Sequence, residues 1–218
     1  IMNDSIIRRV FVLGTLAIVG ILAVQSFWVI QTWSLKNEEF HQKVNIALQK
    51  VAQNLSAYDG IELPNYNLVQ RKSSNYYVVN IDNVIDAGVL EHYLLKQFEN
   101  ASLNTTFEYA IYDCSTRDFQ FGNICTVGGA QKHVPRSGLL PKYDEFIYYF
   151  VVKFPERKGY LLGEMTLTII FTIILLLAVL FFVYSLYVML NQKRLSEMQR
   201  DFINNMTHEF KTPISTIK

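Results

Sequence analysis

Near the end of the chain, the run Phe202 to Pro213 reads FINNMTHEFKTP and gathers residue types that could do nucleophilic chemistry. His208 is followed at once by Glu209, then by Lys211, Thr212 and Pro213. A His-Glu pair on a helix can be half of a zinc site, in which two imidazoles one turn apart share the metal. That arrangement needs a second histidine at position 212, which is threonine, so no metal is expected here. What remains is an imidazole beside a carboxylate. Glu209 can hold the Nδ1 proton and leave Nε2 as a nucleophile, while Lys211 can neutralise charge arriving on a phosphoryl group. Thr212 offers a hydroxyl one helical turn from His208, where it can touch the modified ring or orient a water. Pro213 removes a backbone donor and so loosens or kinks the helix just past the histidine. On this chemistry alone, an ordinary surface histidine on an amphipathic helix accounts for the same residues equally well.

The run F-I-x-N-x-T-H-E-F-K-T-P closely resembles the phosphoacceptor motif of bacterial transmembrane sensor histidine kinases, whose general form is H-E-hydrophobic-basic-T-P. Phe210 fills the hydrophobic place, and the match covers only the last part of the chain. The resemblance implies that His208 takes a phosphoryl group from ATP, with Mg2+, and passes it to an aspartate on a response regulator. It implies that Glu209 assists as acid or base and that Thr212 helps when the enzyme runs in reverse as a phosphatase. It also implies a homodimer, in which the terminal helix begins a dimeric helical bundle with His208 on its outer surface. The chain has no glycine-rich phosphate cradle. ATP and Mg2+ are therefore expected in a C-terminal domain beyond it, and this fragment, ending just after the motif, is not expected to phosphorylate itself.

The elements that must position His208 begin with two apolar blocks, which supply much of a composition that is 50% hydrophobic. Arg8 and Arg9 precede an uncharged stretch from Val10 to Ile30, about 21 residues and long enough to cross a bilayer core. Gln25 is its one strongly polar interior residue, and Trp28 and Trp33 sit where an aromatic belt would lie. The run exceeds the h-region of about 7 to 15 residues in a cleavable signal peptide, so an uncleaved anchor is expected. A second block, Met165 to Leu190, runs about 26 residues without a charge, between Glu164 and the pair Lys193-Arg194. Basic residues flank both spans on what must be one side. By the positive-inside rule both termini are then cytoplasmic and the intervening segment lies outside the inner membrane. That topology is independent of the histidine motif, and it places His208 on the ATP side. Gly14, Ala17, Gly20 and Ala23 recur every third position, a stripe that fits either close helix contact or lipid exposure.

The resulting order is a cytoplasmic N-terminus at 1–9, a span at 10–33, an extracytoplasmic domain at 34–163, a second span at 164–190, and the truncated start of a dimerisation and phosphotransfer helix at 191–218. Ile1 before Met2 reads as a residue foreign to the natural start, and Lys218 falls within a helical pattern, as if a longer chain had been cut. A net charge of +1 argues against a nucleic-acid partner. Within the outer segment, Phe40, Val44, Ala47, Leu48, Val51 and Leu55 recur at helical spacing, so the first span continues outward as an amphipathic helix to about Tyr58. Strands are expected at Tyr66 to Arg71 and Tyr76 to Ile81, then a helix capped by Asp86 and running to Phe98 with Val89, Leu90, Tyr93 and Leu94 inward. Thr105 to Tyr112 alternates, with Phe107, Tyr109 and Ile111 on one face, and Arg117 to Phe121 should pair with it before a last strand at Glu145 to Phe154.

The expected fold class is thus α+β. This order of elements resembles the PAS-like extracytoplasmic sensor domains of the kinase family, an antiparallel sheet with helices on one side. Outside the cytoplasm, Cys114 and Cys125 could form a disulfide, contributing up to roughly 3 kcal/mol on the entropic model, or remain two buried thiols. Charges between residues 34 and 160 nearly balance, and His92 and His133 stand alone, so the residues do not name the ligand. Tyr76, Tyr77, Tyr109, Tyr112, Tyr148 and Tyr149 could line a pocket, although strand aromatics more often pack as core.

Past the second span, Leu195, Met198, Phe202, Asn205 and Glu209 keep a coiled-coil spacing, with Met206, Phe210 and Ile214 extending an adjacent apolar row from Phe202. The stretch from Leu190 to His208 is too short for the separate relay module of many relatives, so the span should run directly into the phosphoacceptor helix. The competing class is a non-enzymatic, chemoreceptor-like receptor or anchor that signals by docking a partner. Such a protein has no need of H-E-x-K-T-P.

Overall fold

The computed structural model describes residues 4–60, 62–63, 68–113, 118–128, 140–141, 143, 146 and 148–214, without side chains for 4–8, 120 and 208–214. They form nine elements: α1 (Asp4–Asp59), β1 (Val69–Ser73), β2 (Tyr76–Asn80), α2 (Ala87–Asn100), β3 (Thr106–Asp113), β4 (Asp118–Thr126), β5 (Tyr148–Lys153), α3 (Arg157–Glu164) and α4 (Thr166–Ile214). Two compact units result, one built from residues 31–166 and one from residues 1–30 with 167–218. The fold is α+β with an antiparallel sheet, and two of its helices are long and apolar enough to cross a membrane.

The unit of residues 31–166 is organised by a five-stranded sheet in the order β1-β2-β5-β3-β4, with every pair antiparallel. The last strand in sequence therefore lies at the centre, hydrogen-bonded to β2 and β3. Alternation sends Tyr77, Val79, Phe107, Tyr109, Ile111, Phe150 and Val152 to one face. On that face they meet the α1 stripe Phe40, Val44, Ala47, Leu48, Val51 and Leu55, each no more than 2% exposed. Burying each such side chain contributes about 1.5–3 kcal/mol, so this stripe holds α1 to the sheet. Aromatic rings knit the same layer: Phe40 meets Phe154 edge-on at 5.3 Å, and Phe98 meets Phe107 at 4.9 Å.

Local signals start and stop α2. The Asp86 carboxylate accepts the Val89 N–H at 2.9 Å, an N-cap bond of about 1 kcal/mol. At the other end Ser102 adopts φ 56°, while the Leu103 N–H reaches the Phe98 carbonyl and the Ser102 N–H reaches that of Glu99. This is a Schellman closure, with Leu103 buried beside the helix it ends. Leu90, Leu94 and Phe98 are the buried α2 residues, whereas Val89 and Tyr93 are only partly covered.

Three features differ from the sequence reading. The opposite face of the sheet is also covered: Tyr76, Val78, Ala110, Tyr112, Tyr149 and Val151 form a second cluster with Phe119 and Leu140. Tyr112 stacks on Tyr149 at 4.7 Å, so both faces of the central strands are dry. Secondly, the chain does not pass straight from the last strand to the second apolar helix. It forms α3, and Met165, expected in the span, is 4% exposed and belongs to the folded unit. Thirdly, β4 continues to Thr126, five residues past the expected end. The expected strand starts at Tyr66 and Glu145 lie outside the described residues.

The other unit contains the apolar parts of α1 and α4. Their side chains from residues 9–30 and 167–207 include none that is buried, as suits helices whose surroundings are lipid. Gln25 is answered within the unit: its amide donates to the Thr172 hydroxyl at 2.6 Å, and that hydroxyl donates to the Thr168 carbonyl at 2.7 Å. The small-residue stripe divides. A methyl group at Gly14 would come within 3.1 Å of the Phe182 ring, whereas Gly20 faces open space.

Candidate functional site

The helix that carries the phosphoacceptor run is α4, unbroken from Thr166 to Ile214. Among the described residues of its second half, Lys193 lies 3.5 Å from Glu197 and the Thr207 hydroxyl donates to the Ile203 carbonyl at 2.8 Å, both short-range links along the helix. Leu195, Met198, Phe202, Ile203 and Met206 stand exposed along it. The backbone of His208, Glu209, Lys211, Thr212 and Pro213 is helical, and His208 and Thr212 are one turn apart, about 6 Å along the axis. Pro213 is thus accommodated in the last described turn. No group of three or more His, Cys, Asp or Glu among the described residues could hold a metal ion.

Within the sheet-bearing unit, structure collects chemistry that spacing did not reveal. His41 on α1 is 6% exposed; its Nδ1 lies 2.5 Å from the Tyr77 hydroxyl, and its Nε2 lies 3.5 Å from a guanidinium nitrogen of Arg157. Burial first, then the positive charges of Arg71 and Arg157, lower its pKa to about 4, so the ring is neutral near pH 7. Burial likewise raises Tyr77 to about 12. Arg157, itself 8% exposed, lies with its guanidinium carbon 5.4 Å from the centre of the Phe40 ring. A second polar cluster joins α2 to β3 and β4. Tyr109 and Asn123 both donate to the Glu91 carboxylate, at 2.5 Å and 3.2 Å.

A curated relative emerges from comparison with known proteins. Sensor protein RprX of Bacteroides fragilis (strain YCH46) is 34% identical to this chain over 131 residues, 59% of this chain and 25% of that protein. The chain is similar to a sensor protein. It spans about a quarter of the length of that relative. No family model and no solved structure matches it.

Beside these positions, the remaining sequence-predicted residues fall as follows. Cys125 is a buried free thiol facing Phe107 across the β3–β4 ladder, and burial with the nearby Glu91 carboxylate pushes it up to about 12. Cys114, the other half of the possible disulfide, lies outside the described residues. His92 is exposed against Tyr93, and His133 lies outside the described residues. Of the six tyrosines, Tyr148 is partly covered and the other five are buried, on both faces of the sheet.

His41 went unread in the sequence although its position carried a signal. It precedes Val44 and Leu48 by three and seven residues, which sets it beside the apolar stripe of α1. An ion-pair chain was equally hidden. Lys36 bonds Glu39 at 2.8 Å and Glu164 at 3.5 Å, and Lys43 bonds Glu39 at 2.8 Å, tying α1 to the end of α3. Hydrogen bonds from Lys36 and Lys43 lower Glu39 to about 2.

Proposed function

We propose that this chain is the sensing and phosphoacceptor part of a bacterial sensor histidine kinase, anchored in the inner membrane by α1 and α4 with both termini cytoplasmic. The likeness to Sensor protein RprX carries this reading. The HEFKTP run at 208–213, on the helix that continues from an apolar span, supports it. The antiparallel sheet with helices on one face supports a PAS-like sensor outside the membrane.

In this reading the Nε2 lone pair of His208 attacks the γ-phosphorus of ATP. The N–P bond forms as the bond to the ADP oxygen breaks, and Glu209 holds the imidazole proton at Nδ1. Lys211 offsets charge on the arriving group, and Thr212 positions water for the reverse, phosphatase reaction. ATP and Mg2+ are held by residues outside this chain, and an aspartate of a response regulator receives the phosphoryl group. The exposed apolar row of α4 pairs with that of a second copy, giving the homodimer. Ligand-dependent bias of the sensor would shift the kinase to phosphatase ratio by a coupling of about 1–3 kcal/mol.

Full-length protein in membranes, given radiolabelled ATP, is expected to acquire an acid-labile label that His208→Ala abolishes. Label persisting in His208→Ala would refute the assignment.

A further inference from the structure

Between α1 and the edge strand β1 runs a groove of about 250 Å³, lined by Glu38, His41, Gln42 and Asn45 of the helix, Val69 and Arg71 of β1, and Tyr77 of β2. The spacing of the four α1 residues puts them on one face, next to the core stripe. Register supplies the other wall, because Arg71 and Tyr77 are direct cross-strand partners. The floor is His41 and Tyr77, both buried, and the rim is Glu38, Gln42, Asn45 and Arg71, all exposed.

The hydrogen-bond roles on the floor follow from Arg157. Arginine has donors only, so the His41 nitrogen facing it, Nε2, must accept. The ring proton then sits on Nδ1 and is donated to the Tyr77 oxygen. Tyr77 is left with its own O–H to give, and among the described residues it has no acceptor for it. The groove it lines is where that proton can be used. Arg71 and Glu38 bring opposite charges to the same rim, and among the described residues neither is in an ion pair. A simple anion would meet Arg71 and the Tyr77 hydroxyl but would be repelled by Glu38. A simple cation would face the reverse.

We propose that this groove binds a small zwitterion of the free amino-acid class, its carboxylate held by Arg71 and the Tyr77 hydroxyl and its ammonium by Glu38. Gln42 and Asn45 offer amide donors and acceptors at the rim, and the volume suits a ligand smaller than the drug-sized molecules of ordinary pockets. This assigns a stimulus class to the sensor reading above, and rests on that reading only for its consequence, since binding itself requires no kinase.

The test is equilibrium dialysis of the full chain in detergent micelles against a mixture of radiolabelled common amino acids, with labelled acetate, methylammonium and inorganic phosphate run separately. Saturable retention of amino-acid label is expected, reduced about tenfold or more by Arg71→Gln and by Glu38→Gln, because each removes one charge-assisted contact at an exposed position. Tyr77→Phe should weaken retention while leaving the ring in the core. No saturable retention, retention indifferent to either charge change, or retention of phosphate or acetate that depends on Arg71 alone would each overturn the proposal. The readout is binding rather than phosphorylation, so an empty groove and an unlabelled His208 are separate failures.

Discussion

The two units handle apolar surface in opposite ways. In the sheet-bearing unit the large side chains are removed from solvent by one another, and Phe40, Phe98, Phe107, Phe150 and Phe154 are all at or below 1% exposure. In the helical unit Leu167, Phe171, Leu177 and Phe181 stand more than half exposed. The first set must be covered by the fold, whereas the second awaits lipid or a partner helix. Polar groups divide in the same way. The helical unit answers Gln25 with a neighbouring hydroxyl, while the sheet-bearing unit gathers polar clusters around the buried His41 and the partly covered Glu91.

Truncating one large apolar side chain on each side is the strongest way to break the comparison. Phe154→Ala opens a cavity where Phe40, Tyr77 and Phe98 converge and is expected to cost about 3–5 kcal/mol. Leu177→Ala should stay within about 0.5 kcal/mol, since that side chain leaves lipid-like surroundings for the same surroundings. Reversible unfolding of the purified chain in micelles measures both, and equal losses would show that the apolar helices pack as a core.

Titration gives the next largest effect. The pKa of His41 is depressed in the folded state, so the unfolded chain binds the extra proton first as pH falls. Stability is therefore full above about 6.5 and declines as pH drops toward 4, by up to about 3 kcal/mol. Replacing His41 with Gln should flatten that segment of the pH profile, whatever it does to the absolute stability. A slope unchanged in the variant would place the titration elsewhere.

The smallest effect sharpens the contrast between polar groups. A double-mutant cycle of Gln25→Leu and Thr172→Val is expected to return a coupling of about 0.6 kcal/mol, the usual size for a hydrogen bond between membrane helices. A coupling near zero would mean that the pair is not joined in the bilayer.

Much of this was legible because it is local. The α1 stripe from Phe40 to Leu55 could be read from a period of 3.6, the alternation of Phe107, Tyr109 and Ile111 from a period of two, and the α2 start from Asp86 as a capping residue. The short helix α3 escaped because eight residues between a strand and an apolar block hold too few turns to show a period. Burial of the second sheet face also escaped, since alternation assigns Tyr112 and Tyr149 to the other side without saying whether that side is covered. The place of Cys125 opposite Phe107 also escaped, because composition and compartment carry no ladder register.

The sequence by itself determined the two apolar helices, the position of the HEFKTP run beyond the second, and the class of elements between them. Those follow from composition and short periods, which neighbours along the chain are enough to express. Only the tertiary structure decided that β5 lies at the centre of the sheet, that His41 meets Tyr77 and Arg157, and that Glu38 and Arg71 share a groove. Each of these joins residues far apart in the chain. Such meetings depend on strand register and on which helix face is buried, and both are settled by packing among all the elements together.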